Sequence, residues 1–279
     1  MSLSKKIFCC AIASAAILSG CSQSSGKTAT DNKKTITIAF GLGNYIDQVR
    51  GGIVPILEKQ GYTVNLKQFS QNRQINPAFQ EGSIDASVNQ SRAYMEAFNK
   101  KNNTDLIALT DSPSAPQSLR SLKHKSLNEV HDGTIVIIPN DPVNAERAAQ
   151  ILQQLGWIKI KANTSPLSFG INDISPAKYK IDVREADSGQ SLRLLQDADF
   201  AVVNGNYVAD AGQKISDGLV VEKTPLQHRV VVAISGKDQN SQWAKDLKAA
   251  FESKQYAQYV KSQTKYSGFI FPASWDKYK

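Results

Sequence analysis

The sequence predicts an α/β fold in two lobes, each a mixed, mostly parallel sheet with flanking helices, and a ligand cleft between the lobes. Three observations carry this expectation. Short β-branched runs alternate with helical stripes along most of the chain, as parallel strands joined by helical crossovers require. The rhythm breaks at residues 112–116 (SPSAP) and resumes as a second α/β set. The run 229–235 (RVVVAIS) then reads as a strand returning to the first set, so two crossings join two lobes. Residues 35–116 and 229–279 form lobe I in this reading, and 117–228 form lobe II. Clefts between domains are favoured ligand sites.

The first set opens with Thr35 to Phe40 (TITIAF), which alternates like a strand and runs into the loop Gly41-Leu42-Gly43-Asn44. Ile46, Val49, Ile53, Ile56 and Leu57 form one helical stripe, with Gly61 placed to end it. Strands are expected at 63–69, 84–88 and 106–109, and helices at 77–81, closed by Gly82, and around 94–98. The second set has strands near 134–138, 180–184 and 200–203, with helices near 144–155, 190–196 and 207–211. Helices at 243–253 and 256–261 complete lobe I, and no repeat at a solenoid period appears.

The 279 residues are 41% hydrophobic and 21% charged, so the chain can bury a sizeable core. Lys5 and Lys6 precede an apolar run, 7–18, that is short for a bilayer span and ends in Leu18-Ser19-Gly20-Cys21. This order resembles a bacterial lipobox and implies cleavage of residues 1–20 and lipidation of Cys21; the alternative is an ordinary secretory signal with an incidental cysteine. Residues 22–34, rich in Ser, Thr, Gly, Lys and Asn, read as a flexible tether. No second hydrophobic span follows, so anchoring to a membrane surface is expected rather than crossing.

All three cysteines, Cys9, Cys10 and Cys21, lie in this leader, which excludes disulfides, thiolate metal sites and cysteine nucleophiles from the mature domain. His124, His131 and His228 fall in no metal-binding spacing. Nucleophile-elbow, Walker A and dinucleotide patterns are missing, and Gly41-Leu42-Gly43 lacks the third glycine of the last. No cofactor is implied, and a binding protein is favoured over an enzyme. The net charge of +8 is scattered without aromatic interleaving, which argues for a solvated surface near anionic lipid and against nucleic acid.

Residues 134–155 (TIVIIPNDPVNAERAAQILQQL) read as strand, loop, helix. Loops at the carboxyl ends of strands are the usual ligand positions in open α/β sheets. Free N–H groups at the helix start and the charge of Arg147 would both favour an anion there. A single arginine is more often on a solvated helix face.

The stretch Pro139-Asn140-Asp141-Pro142-Val143-Asn144-Ala145-Glu146-Arg147 matches the pattern Pro-Asn-Asp-X-X-Asn-X-X-Arg at every fixed position. It resembles the NlpA family of methionine-binding lipoproteins, which deliver substrate to an ABC importer, and the similarity runs over nearly the whole chain. The resemblance implies a two-lobed, type II periplasmic-binding-protein-like fold. It also implies an amino-acid ligand, an ABC permease and ATPase complex as partner, and an extracytoplasmic, periplasmic place on the membrane through Cys21. A monomer is expected. By the same resemblance Arg147 pairs with the ligand carboxylate, with Asn144 beside it, and Asn204, ending Ala201-Val202-Val203-Asn204, meets the ligand's backbone polar groups. Without the resemblance Asn204 is as readily a turn or capping residue.

The expected side-chain pocket departs from the family pattern. Where that pattern reads Asn-X-Phe-Gln-His-X-Pro-Tyr, this chain has Asn89 for the Phe and Ser91 for the His, while Gln90 and Tyr94 remain. Phe69-Ser70-Gln71-Asn72 puts Asn72 at an aromatic position, and Ala115-Pro116 stands for Tyr-Pro. Lost aromatics forfeit sulfur contacts of roughly 0.3–1.5 kcal/mol each. Polar groups left unpaired around methionine would cost roughly 1–3 kcal/mol each. A more polar amino acid or a short peptide is therefore a candidate ligand, unless Tyr45 or Phe69 rebuilds an apolar cage. An extracytoplasmic enzyme on the same framework, or a lipoprotein adhesin, are the readings from other classes. Intact-mass analysis of membrane-extracted protein should show a chain starting at an acylated Cys21; an unacylated N-terminus there would refute the lipobox.

Overall fold

The structure, a computed structural model, describes residues 33–278. The expected signal peptide, Cys21 and nearly all of the tether lie outside the described residues. Strand β1 (Thr35–Phe40) buries Ile36 and Ile38 completely, as its alternation requires. The helical stripe that follows is broken into α1 (Tyr45–Gly52) and α2 (Val54–Glu58). Pro55 explains the correction: it has no N–H to give and its ring opposes the carbonyl four residues back, so the helix restarts with Pro55 in its first turn. Gly61, at φ +81°, turns the chain into β2 (Thr63–Gln68), parallel to β1.

Helix α3 (Ile75–Gln80), β3 (Ala86–Ser91), α4 (Arg92–Asn102) and β4 (Leu106–Asp111) follow near their expected places. Past the crossing, β5 (Ser118–Arg120), β6 (Ile135–Pro139) and α5 (Pro142–Gln154) open the second set. A short antiparallel hairpin, β7 (Ile158–Ile160) and β8 (Ile174–Pro176), precedes β9 (Asp182–Ala186), α6 (Ser191–Leu194) and β10 (Phe200–Val203). Helix α7 (Gly205–Asp210) and β11 (Val220–Val221) lead to β12 (Val230–Ser235), and α8 (Gln242–Phe251) and α9 (Lys254–Ser262) close the chain.

Two five-stranded sheets result, ordered β2-β1-β3-β12-β4 and β11-β5-β10-β6-β9. Both are mixed. In the first, β12 runs antiparallel between β3 and β4, so the returning strand completes that sheet. In the second, β5 is antiparallel to β10 and to β11, while β6 is parallel to both β10 and β9. The carboxyl ends of β1, β3, β6 and β10 carry the loops and helix starts that build the site. Gly205 at one of these ends has a packing reason: a Cβ there would lie 2.3 Å from the Pro116 carbonyl oxygen.

Candidate ligand-binding site

In lobe II the site begins at the start of α5. Pro142 takes the first turn, where its missing N–H is harmless, and Asp141 caps the helix by accepting from the Asn144 N–H at 2.9 Å. The Asn144 amide donates to both Asp141 oxygens at 3.1 Å. The anion expected at this helix N-terminus is thus a side chain of the protein itself. Burial pushes the Asp141 carboxyl up, opposed by the Asn144 hydrogen bonds and the Arg147 charge.

Arg147 lies one turn further on the same face. Its Nε and Nη2 donate to the two oxygens of Glu222, and both side chains are under 10% exposed (8% and 7%). The Glu222 Oε2 also accepts from the Gln117 N–H at 3.1 Å and the Thr224 hydroxyl at 2.8 Å. Burial raises the Glu222 pKa, but these bonds and the Arg147 charge outweigh it, and the net shift is downward. The Arg147 guanidinium, expected to meet a ligand carboxylate, is thus already engaged on one side by a carboxylate of the protein. One edge of its fork holds a resident carboxylate, while Nη1 donates only a long 3.5 Å hydrogen bond to the Asn144 Oδ1 and keeps a second N–H to give. Glu222 escaped the sequence reading because it lies 75 residues away, outside any local motif.

Gln117, fully buried, was also missed. Its Nε2 donates to the Asn204 Oδ1 at 2.7 Å and to the Asn144 carbonyl at 3.3 Å, tying the two asparagines together. Asn204 is left with its Nδ2, which has no partner among the described residues.

Lobe I supplies the facing wall. Asn89 lies in β3 where the register with β12 slips: Val231 pairs with Gln90 and Val232 with Val88, so Asn89 is the extra residue of a β-bulge. Its Oδ1 is buried without a partner. Two neighbours have other duties. The Ser91 hydroxyl caps α4, accepting from the Tyr94 N–H at 3.2 Å. The Gln90 amide pairs with Asn76 in both directions, at 2.8 and 2.7 Å. Asn72 donates to the Tyr207 hydroxyl at 3.4 Å, and the Tyr45 hydroxyl accepts from the Ala115 N–H at 3.4 Å.

The structure brings all nine candidate residues to the lining of one small cavity, partly open to solvent. Arg147, Asn144 and Asn204 line it from lobe II; Tyr45, Asn72, Asn89, Gln90, Ser91 and Tyr94 line it from lobe I. Ala115, Asn206 and Val230 complete the lining, the last two unforeseen. Phe69 packs elsewhere, with Ile75, Phe79 and their neighbours. Burial raises the Tyr45 and Tyr94 phenols to about 12, so both stay protonated. Arg147 is then the one formal charge on the lining, and Glu222 balances it. Among the described residues no cluster of His, Cys, Asp and Glu could hold a metal ion.

The profile of the NlpA lipoprotein family matches residues 36–274. The chain belongs to that family. It is 29% identical over 252 residues to the probable D-methionine-binding lipoprotein MetQ of Haemophilus influenzae, covering 89% of this chain and 91% of the relative. With outer membrane lipoprotein 2 of Mannheimia haemolytica it shares 31% over 242 residues, 84% of this chain and 87% of the relative. A nutrient binding protein from Burkholderia cenocepacia, solved bound to methionine, superposes with a TM-score of 0.78 at 28% identity, covering 85% of this chain and 99% of that one. NlpA-family members are substrate-binding proteins, so this chain is a binding protein and not an enzyme. Its relatives are membrane lipoproteins, and among its described residues no helix is long and apolar enough to cross a membrane.

Two outcomes follow from the ion pair. Arg147→Ala leaves Glu222 buried without its partner and should destabilise the protein by roughly 3–5 kcal/mol in urea unfolding; an unchanged midpoint would mean that Glu222 is not desolvated. The second concerns His228, whose pKa is lowered by burial and by the Arg147 charge, against Glu222 and Glu146. A group with a depressed folded pKa contributes stability above its unfolded value, about 6.5 for histidine, and loses it as pH falls toward the folded value. Stability should therefore begin to fall below about pH 6.5, and His228→Asn should flatten that upper part of the decline. Parallel unfolding curves across this range would assign the decline to other groups.

Proposed function

We propose that this chain is the lipid-anchored, extracytoplasmic substrate-binding protein of an ABC importer, and that its ligand is an α-amino acid without net charge. The observation that carries the reading is a pair of donors with hydrogens to spare, Arg147 Nη1 and Asn204 Nδ2, on residues that line a cavity whose one formal charge is already balanced. Two donors at one end of a neutral cavity fit the carboxylate of a zwitterion. The names of the relatives that bind methionine support an amino-acid ligand. Arg147, Asn144 and Asn204 hold the carboxylate end in this reading, and the lobe I residues meet the rest.

Delivery works by closure. Residues 35–116 with 229–279, and residues 117–228, act as the two lobes, hinging at 112–116 and 227–235. Asn72 to Tyr207 and Asn206 to the Leu42 carbonyl, at 3.4 and 3.3 Å, latch the lobes over the ligand. The closed monomer docks on the permease, held near it by the lipid on Cys21. Protein stripped of ligand by denaturation and refolded should bind one equivalent of an uncharged L-amino acid in calorimetric titration. Failure of every amino acid to bind would overturn the reading.

A further inference from the structure

The polar atoms that line the cavity divide into those the protein satisfies and those it does not. Gln90 is spent on Asn76, Ser91 on the cap of α4, and Asn72 on Tyr207. Asn89 differs from these three: its Oδ1 is a fully buried acceptor with no partner among the described residues. Buried acceptors are rarely left so, and the exceptions call for an explanation. A second observation falls on the same residue: Asn89 is the extra residue of the bulge between β3 and β12. Bulges next to binding sites re-aim a side chain. Asn89 lines the cavity, and the sheet departs from regular pairing at this residue.

We infer that Asn89 is the specificity-determining residue of the cavity, and that the ligand is an amino acid whose uncharged side chain carries an N–H or O–H donor, such as a carboxamide or hydroxyl. This rests on the amino-acid reading above. The carboxylate donors sit on lobe II, at α5 and the end of β10, whereas Asn89 sits on the facing wall in lobe I. A ligand anchored by its carboxylate in lobe II extends its side chain toward that wall. Charge narrows the class further. Glu222 is bound to Arg147 and Asp141 to Asn144, so a cationic side chain finds no free carboxylate. An acidic side chain finds no second cation on the lining. An apolar side chain leaves the Asn89 oxygen unpaired, and sites built to hydrogen-bond a ligand reject analogues that lack the group strongly.

The test is calorimetric titration of refolded, ligand-stripped protein with L-glutamine, L-asparagine, L-serine, L-methionine and L-lysine. The wild type should bind at least one of the first three roughly tenfold or more tighter than methionine. Asn89→Leu should weaken the polar ligands by roughly ten- to a hundredfold and leave methionine unchanged or tighter. Asn89→Asp adds the missing counter-charge without changing shape and should make lysine binding measurable, which also covers the case that the leucine variant fails to fold. A wild type that prefers methionine overturns the inference and leaves the amino-acid reading standing. Equal loss for every ligand in Asn89→Leu also overturns it, because Asn89 would then meet the common ammonium group. Absence of all binding removes both.

Discussion

The buried pair of Arg147 and Glu222 sets the terms for the rest of the site. Each charge alone would be costly to take out of water, and neither can leave without stranding the other. The pair joins α5 to the segment that follows β11, and so fixes that helix to the chain entering the second crossing. It also divides the guanidinium. Nε and Nη2 are held by the protein, and the fork is therefore oriented before any ligand arrives. Preorganisation of this kind reduces the cost of binding, because the side chain's freedom is already lost on folding.

Gln117 extends the same logic. It gives its backbone N–H to Glu222 and its amide to Asn204 and to the carbonyl of Asn144, so one residue just past the first crossing braces three parts of the lobe II wall. Both crossings thus end in groups bound to the ion pair: Gln117 after the first, Glu222 and Thr224 before the second. In the closure proposed above, a change in the angle between the lobes would act on the residues that also position the proposed ligand donors.

Much of the fold is legible because its strands alternate and its helices carry clear stripes and caps. TITIAF and FAVV coincide with β1 and β10, and α5 begins two residues before its expected start because Asp141-Pro142 is itself the cap and first turn. The missed strands, β5, β7, β8 and β11, span only two or three residues, too few for any period to show. Pro55, by contrast, stands in the sequence inside the apolar stripe and breaks it. The site divides differently. Nine residues were named from the motif and its departures, and they share one cavity. What each polar atom does was not legible. The partners of Arg147, Gln90 and Asn72 lie 75, 14 and 135 residues away, and only the folded chain brings them together.

That division explains why polar substitutions in a pocket cannot be read one by one as polar contacts for a ligand. Ser91 and Gln90 are as polar as Asn89, yet a helix start absorbs the first and Asn76 the second. Polar atoms left over after this accounting are the ones that bear on what binds. For Asn89 the bulge is the cause: with regular pairing, the side chains of β3 would alternate strictly between the two faces, and the slip at Val231 and Val232 breaks that alternation at Asn89. Lobes closing over a ligand without a donor would bury that oxygen unpaired, at roughly 1–3 kcal/mol, whereas an open cleft returns it to water. In the proposed complex a ligand that supplied the donor would remove the penalty, so the contact selecting the side chain would also favour the closed state over the open one.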